Sequence, residues 1–383
     1  MKNVRVGVIG LEFGAKGHLP GFQTLPGVDV VAVADTKLDL AQKVALERNI
    51  PNAYGDWRKL VDSAEVDAVS VAIPPFRQAE VVCAAALAGK HVLCEKPFGM
   101  NVQEAQRMVK AAQKMGVAHA VDFEFRMEPG VVELRRLVRN GEVGQARRID
   151  VSWLTGGRAD PALGWAWQHD LEKGGGVLGA FGSHIVDYAE WIFGRPIDKV
   201  FARSDVLIRH RKDSSGQERK VTAEDSCDLL CELDGGITAN VCFSNCYRYS
   251  PGHRIEILGD KGRVVYSREF PFTPDCEKLF IETDASGLKQ VFYEALPSEP
   301  SFLDTRVPPF RQIASRFIEA IHGKVPEDMP TFEAGLRVQI VMEAIQKSIA
   351  EGKTIRVACL TAPKEPAHPS FKKTGYETFS AQQ

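Results

Sequence analysis

His184, which follows a glycine-rich stretch, and Lys96, set between Glu95 and Pro97, are the side chains best suited to supply a proton acceptor near neutral pH and an orienting charge. An imidazole with an ordinary pKa of about 6.5 exchanges a proton with a hydroxyl group. A charged lysine beside it would hydrogen-bond the substrate oxygen, favour a developing alkoxide and lower the imidazole pKa. Pro97 keeps Lys96 out of the helical region and so holds it at the end of the preceding strand. Asp187 and Tyr188 lie three and four residues beyond His184, one helical turn away. Asp187 either fixes the imidazole tautomer or bridges to a neighbouring helix, and His184 is either a proton carrier or a core histidine satisfied by backbone. Trp165, Trp167, His169 and Asp170 offer a wall for a small molecule, or ordinary packing.

A second constellation reads as a binding element. Gly10-Leu11-Glu12-Phe13-Gly14-Ala15 stands between a strand pattern and a helical pattern, with Asp35 at the end of the next strand. That context suits a dinucleotide: Gly10 permits a tight turn, the helix start offers N–H groups to a pyrophosphate, Ala15 allows close packing, and Asp35 accepts from ribose hydroxyls. Glu12 stands where a second glycine is usual, and Lys16 offsets part of its charge. Asp35 favours NAD by repelling a 2′-phosphate, while Lys37 keeps NADP open. The loops holding Ile73-Pro74 and Glu95-Lys96 leave the carboxyl ends of later strands, where ligands of doubly wound sheets bind.

The elements needed to position these residues are legible. Strand candidates at Val4–Ile9, Val28–Ala34, Asp67–Ala72, His91–Cys94 and Val117–Val121 alternate with helical patterns at Leu38–Arg48, Arg77–Ala88 and Val102–Met115, which predicts a parallel doubly wound sheet. Beyond it, helices at Pro129–Asn140 and Gly176–Phe193 precede successive strands at Lys199–Leu207, Ser226–Leu233, Ile237–Cys246, His253–Leu258 and Arg263–Ser267. Short turns between strands predict an antiparallel sheet, and helices at Phe310–His322 and Phe332–Glu351 follow. The fold class is therefore α/β, with domains at 1–122 and 123–357 and an extended or disordered tail at 358–383. The basic run Arg209–Lys212, with Arg219 and Lys220, reads as a solvated hairpin tip.

Composition narrows the function. The 383 residues carry 48 Lys+Arg against 50 Asp+Glu, so no attraction to nucleic acid or an anionic membrane is implied. Apolar runs stop well short of the ~18 residues of a membrane span. Eight cysteines are too dilute for a disulfide framework. Cys227/Cys231 and Cys242/Cys246, each pair four apart on a strand pattern, should share a face as reduced thiols; no zinc site is completed, and a reducing cytoplasm is expected.

Taken with Ala72–Pro75, Phe125-Arg126, Gly174-Gly175-Gly176, Gly182-Ser183-His184-Ile185-Val186-Asp187 and the Phe332–Ser348 segment, these motifs resemble the glucose–fructose oxidoreductase/inositol dehydrogenase (Gfo/Idh/MocA) family up to about Val357. The resemblance implies an N-terminal Rossmann domain and a C-terminal α+β domain with an open-faced, mostly antiparallel sheet often used in oligomerisation, hence a homodimer or homotetramer. It implies NAD(P)-dependent oxidation or reduction of a sugar, polyol or related hydroxy or carbonyl compound, with Lys96 and His184 at the reacting carbon. Arg126 joins Lys96, Trp167, His169 and His184 as the substrate-facing set. Family members commonly carry Asp where this chain has Ala180 and His where it has Gln78. Ala180 and Glu12 leave a non-catalytic nucleotide or sugar sensor of the same fold as the alternative.

Overall fold

Short runs of Val and Ala, buried on both faces, build the first sheet, as parallel strands covered by helices require. In chain order it comprises β1 (Val4–Ile9), α1 (His18–Gln23), β2 (Val28–Ala34), α2 (Leu38–Arg48), β3 (Asn52–Tyr54), α3 (Trp57–Val61), β4 (Ala68–Val71), α4 (Pro75–Leu87), β5 (His91–Glu95), α5 (Val102–Met115) and β6 (His119–Asp122). Every pairing is parallel, in the order β3-β2-β1-β4-β5-β6, so the strand order reverses between β1 and β4. A ligand crevice is expected outside the carboxyl ends of those two strands. Local signals set the helix ends: Asn101 Oδ1 accepts from the Glu104 N–H at the start of α5, and Gly116 closes it in the left-handed conformation. This computed structural model describes residues 3–269, 276–297, 302 and 304–357; the expected tail at 358–383 lies outside them.

The second unit runs α6 (Pro129–Arg139), β7 (Ala146–Leu154), α7 (Ser183–Phe193), β8 (Ile197–Asp205), β9 (His210–Lys212), β10 (Glu218–Lys220), β11 (Ser226–Leu233), β12 (Ile237–Ser244), β13 (Gly252–Gly259), β14 (Gly262–Arg268), β15 (Glu277–Thr283), β16 (Gly287–Val291), α8 (Val307–Ile321), α9 (Phe332–Glu351) and β17 (Ile355–Arg356). Nine of these strands form one sheet in the order β16-β15-β14-β13-β7-β12-β11-β8-β17, and β9 pairs with β10 as a separate hairpin. The sheet is mostly antiparallel, as expected. Its exception is β7, which the sequence reading did not include and which pairs parallel with β12.

Alternation orients this sheet. Cys227, Leu229, Cys231 and Leu233 face the core, whereas Asp228 and Leu230 on the same strand face outward. The expected common face for Cys242 and Cys246 is not found: Cys242 lies on the open face of the sheet, while Cys246 sits past the end of β12 in the cleft between the two units. All seven described cysteines are free. α8 packs in the core of the first unit, where the Phe310 ring stacks on His18 at 4.4 Å and meets Phe22 edge-on at 5.5 Å. Full burial of such a ring contributes roughly 2–3 kcal/mol. α9 joins the two units, its Phe332 ring stacked on His119 of β6 at 4.7 Å. No helix among the described residues is long and apolar enough to cross a membrane.

Candidate active site

The nucleotide end is built on Gly10. Its φ is +89°, and a Cβ there would strike the Ala72 carbonyl oxygen and the Ile73 side chain, so only glycine fits. The Gly10 N–H donates to Ala34 O at 2.9 Å, joining β1 to β2. A helix directly after the loop was expected; instead residues 11–17 form successive turns and α1 begins only at His18. Gly17, Gly21 and Pro20 all weaken helix here, and Phe13 and Phe310 pack against the two bare glycines. Asp35 Oδ2 accepts from the Leu11 N–H at 3.0 Å and Oδ1 from the Lys37 N–H at 2.9 Å, which leaves carboxylate lone pairs at the end of β2. Glu12 is exposed at the cleft rim. Beside it, the Arg306 guanidinium lies 4.0 Å over the Phe13 ring and pairs with Asp304. The glycine cradle, the free N–H groups of the turns and the Asp35 carboxylate fit a dinucleotide.

Lys96 stands at the mouth of β5, as expected, and its bond to Pro97 is cis. Its backbone N–H donates to Glu95 Oε2 at 3.1 Å, and Nζ reaches across to the second unit to donate to Ala180 O at 3.2 Å. Gln78 secures this turn: Nε2 donates to Glu95 O at 2.9 Å, and Oε1 accepts from the Gly99 N–H at 2.9 Å. Beneath lies a buried ionic cluster absent from the sequence reading. His18 Nε2 is 3.0 Å from Glu95 Oε1 and 3.5 Å from Asp122 Oδ2, with Nδ1 2.7 Å from Ser70 Oγ. Burial opposes a charged imidazole, but Asp122 and Glu95 outweigh it and raise the His18 pKa to about 9. Burial and the Glu95 charge raise Asp122 to about 7. Ligand-type atoms of His18, Glu95 and Asp122 lie within 4.8 Å of one another, and the protonated imidazole is the cation they enclose.

His184 enters α7 through one wide π-type turn, Leu178–Gly182, a feature often found at functional sites. Its ring is 1% exposed, packed edge-on against Phe125 at 4.7 Å, and neither nitrogen has a hydrogen-bond partner. The nearest carboxylate oxygen is Glu124 Oε2, 3.6 Å from Nε2 and itself unpartnered. Burial, then the Lys96 charge, hold the His184 pKa well below its usual value; burial, then the Asp122 charge, push Glu124 well above its own. Two expectations are corrected here. Asp187 does not hold His184: both its oxygens pair with the Arg126 guanidinium, Nε to Oδ2 at 2.8 Å. Arg126, expected to face substrate, is consumed by that buried pair and lies under Trp191 at 5.4 Å. Bidentate geometry in a dry site outcompetes a local contact along the helix.

A cleft of about 290 Å³ between the units is lined by Glu12, Ile73, Pro74, Lys96 and Arg306 from one side and by Trp167, His169, Arg158 and Arg211 from the other. Trp167 and His169 thus do stand on its wall. His184, expected to face substrate, is not among its lining residues, because its ring is sealed among Phe123, Phe125 and Trp153. The hairpin β9–β10 forms as expected, yet its basic run is not wholly solvated, because Arg211 is 3% exposed and turned into the cleft wall. Sequence reasoning missed His18, Asp122, Glu124, Arg158, Arg211 and Arg306. For Asp122 and Glu124 the signal was present, since both stand at the carboxyl end of β6.

A sequence profile described as an oxidoreductase family with an NAD-binding Rossmann fold matches residues 4–123, and a GFO/IDH/MocA C-terminal domain profile matches residues 131–265. The chain belongs to the GFO/IDH/MocA oxidoreductases. It is 32% identical over 359 residues to an uncharacterized oxidoreductase of Synechocystis, covering 93% of this chain and 96% of that one. It is 32% identical over 365 residues to D-glucoside 3-dehydrogenase of Escherichia coli, covering 92% and 97%. A structure of levoglucosan dehydrogenase in complex with NADH and L-sorbose superposes with a TM-score of 0.84 at 24% identity, covering 93% of this chain and 99% of that one, and so shares the fold. As an oxidoreductase with an NAD-binding domain, the chain agrees with the expectation from its motifs.

Proposed function

We propose that this GFO/IDH/MocA oxidoreductase transfers a hydride between NAD and a hydroxyl-bearing carbon of a sugar, polyol or related carbonyl compound. The observation that carries this reading is the reach of Lys96 Nζ from the rim of the first sheet to Ala180 O, one turn before His184, where its charge acts on the imidazole. Bound NAD, held by the Gly10 turn and Asp35, supplies the hydride acceptor. Lys96 hydrogen-bonds the substrate oxygen and stabilises charge developing there. As Lys96 takes up the hydroxyl proton it releases one of its own towards His184, and Glu124, 3.6 Å from the imidazole, takes the part of the carboxylate that Ala180 lacks. A proton held by Glu124 leaves no net charge in the dry site and is ready for donation in carbonyl reduction; once released, it leaves an acceptor for oxidation. On the open face of the large sheet, Phe201 and Leu230 are exposed beside one another's strands, and we assign that face to a second copy of the chain.

Steady-state assays with NAD and NADP over a panel of sugars and polyols test this reading. Lys96→Met is expected to lower kcat by a factor of ~10² or more with NADH affinity changed less than about threefold. Glu124→Gln is expected to remove one limb of the pH–rate profile. Turnover indifferent to Lys96→Met, or NADH binding without turnover of any substrate, would overturn it.

A further inference from the structure

Two guanidiniums in the cleft wall opposite the nucleotide loop, those of Arg158 and Arg211, have no directly paired carboxylate among the described residues, although Glu224 and Asp225 line the same wall. Arg211, on β9, is almost fully buried, yet its guanidinium is held by peptide oxygens alone: Nη1 donates to Asp160 O at 2.7 Å and Leu163 O at 3.3 Å, and Nη2 donates to Arg158 O at 2.6 Å. Its Nε–H, also buried, has no partner. Arg158, on the loop after β7, is largely withdrawn from water, and among the described residues its side chain meets one polar partner, His169 Nε2 at 3.1 Å. That contact is incomplete. The Ala166 N–H donates to His169 Nδ1 at 3.0 Å, so the neutral ring carries its proton on Nε2. Burial, then the charges of Arg158 and Arg211, lower the His169 pKa to about 4, which keeps the ring neutral at pH 7. Nε2–H and the Arg158 N–H are therefore two donors facing one another with no acceptor between them.

The carboxylates along the cleft do not supply that acceptor. Asp225 accepts from the Leu207 and Ile208 N–H groups at 2.7 and 3.0 Å, and Glu224 accepts from the Leu178 N–H at 2.9 Å. Glu95 is engaged by His18, and Glu12 stands exposed at the nucleotide end. Two neighbouring guanidiniums withdrawn from water, neither paired directly with a carboxylate among the described residues, are costly unless an anion joins them. An oxyanion with two or three acceptor oxygens satisfies donors disposed in this way.

We propose that Arg158, His169 and Arg211 form an anion-binding subsite, and that the substrate is a sugar or polyol derivative bearing a carboxylate or phosphate remote from the carbon presented to Lys96. The assignment of substrate class rests on the dehydrogenase reading above; the anion subsite itself does not.

Calorimetric titration of the NADH-loaded enzyme with D-glucose, D-glucuronate and D-glucose 6-phosphate tests it, the two anionic probes separating a carboxylate from a phosphate. At least one anionic sugar is expected to bind ten-fold or more tightly than D-glucose, and Arg158→Ala should reduce that ratio to about twofold or less. Arg158→Gln, which keeps much of the apolar stem and an amide donor without the charge, should do the same and guards against a packing defect. Equal affinity for charged and neutral sugars would overturn the proposal. So would variants that weaken all three sugars by one common factor, or that weaken NADH alone, which would give the guanidinium a packing role or assign it to the cofactor's phosphates. An Arg158-dependent preference for anions without oxidation of any sugar by NAD would retain the subsite and remove the dehydrogenase reading; NAD-linked turnover of neutral sugars without that preference would do the reverse.

Discussion

Raising pH from 7 to 9 should cost this protein stability through one histidine. His18 is fully buried with its Nε2–H toward Glu95 and Asp122, and its pKa is raised from an ordinary 6.5 to about 9. A folded-state pKa above the unfolded value means that the stabilisation is fully present below pH 6.5 and is lost as pH rises through 9. The displacement corresponds to on the order of 3 kcal/mol, which for a chain of this length is about 4 °C in melting temperature. Asp122, raised to about 7, works with the same sign: the folded state holds a proton that the unfolded chain has released. The other buried histidines act elsewhere. His91 and His169 are lowered to about 4, so their effect falls at and below pH 6.5, where stability rises with pH. Thermal denaturation followed by circular dichroism in steps from pH 6 to 9.5 should show a maximum near pH 6–7 and then a decline. His18→Gln removes the cation and should lower the melting temperature at pH 7 and flatten the alkaline decline. An identical alkaline slope in wild type and His18→Gln would refute the assignment of charge to His18.

Asp187→Asn should destabilise by about 3–5 kcal/mol, because it leaves the Arg126 guanidinium buried without a counter-ion. It should leave the pH–rate profile in place; a shifted profile would return Asp187 to the proton path. Gly10→Ala forces a side chain onto a φ of +89° and against Ala72 O, and should weaken NADH at least ten-fold by calorimetry. Unchanged NADH affinity would separate the Gly10 turn from cofactor binding.

The fold was readable wherever a segment's periodicity agreed with its burial. Ser226–Leu233 and Phe332–Glu351 begin and end where the alternation and the helical spacing put them, because one face of each is sealed in the core. β7 escaped although it is central: Arg147, Arg148 and Asp150 interrupt its apolar residues, and only Ile149, Val151 and Trp153 face inward from a sheet whose other face is open. The same period of two hid Arg211. Between exposed His210 and Lys212 it turns inward, so a run that looks uniformly solvated places one of its charges in the cleft.

At the site, legibility followed sequence distance. Lys96 was accessible because Pro97 fixes its backbone locally, and Gly10 because its strand, its glycine loop and Asp35 follow closely in the chain. Asp187 stayed open between its two roles for the opposite reason. A residue three positions from His184 is a neighbour on paper, but the Arg126 guanidinium, 61 residues earlier, arrives from the turn after β6 and takes both carboxylate oxygens. The same turn brings Glu124 to within 3.6 Å of the imidazole. One short segment, Asp122 to Arg126, thus removes a carboxylate from His184 on one side and supplies another from the opposite side. On the proposed reading, Glu124, from the turn after β6 rather than from α7, takes the place of the carboxylate absent at 180. A carboxylate restored at 180, a half-buried position on the cleft wall, would stand beside Lys96 with Glu124, Glu95 and Asp122 already in place behind it. Lys96 would offer such a carboxylate a counter-charge, while Glu124 already gives the imidazole a carboxyl neighbour, so the small residue at 180 does not leave His184 without one.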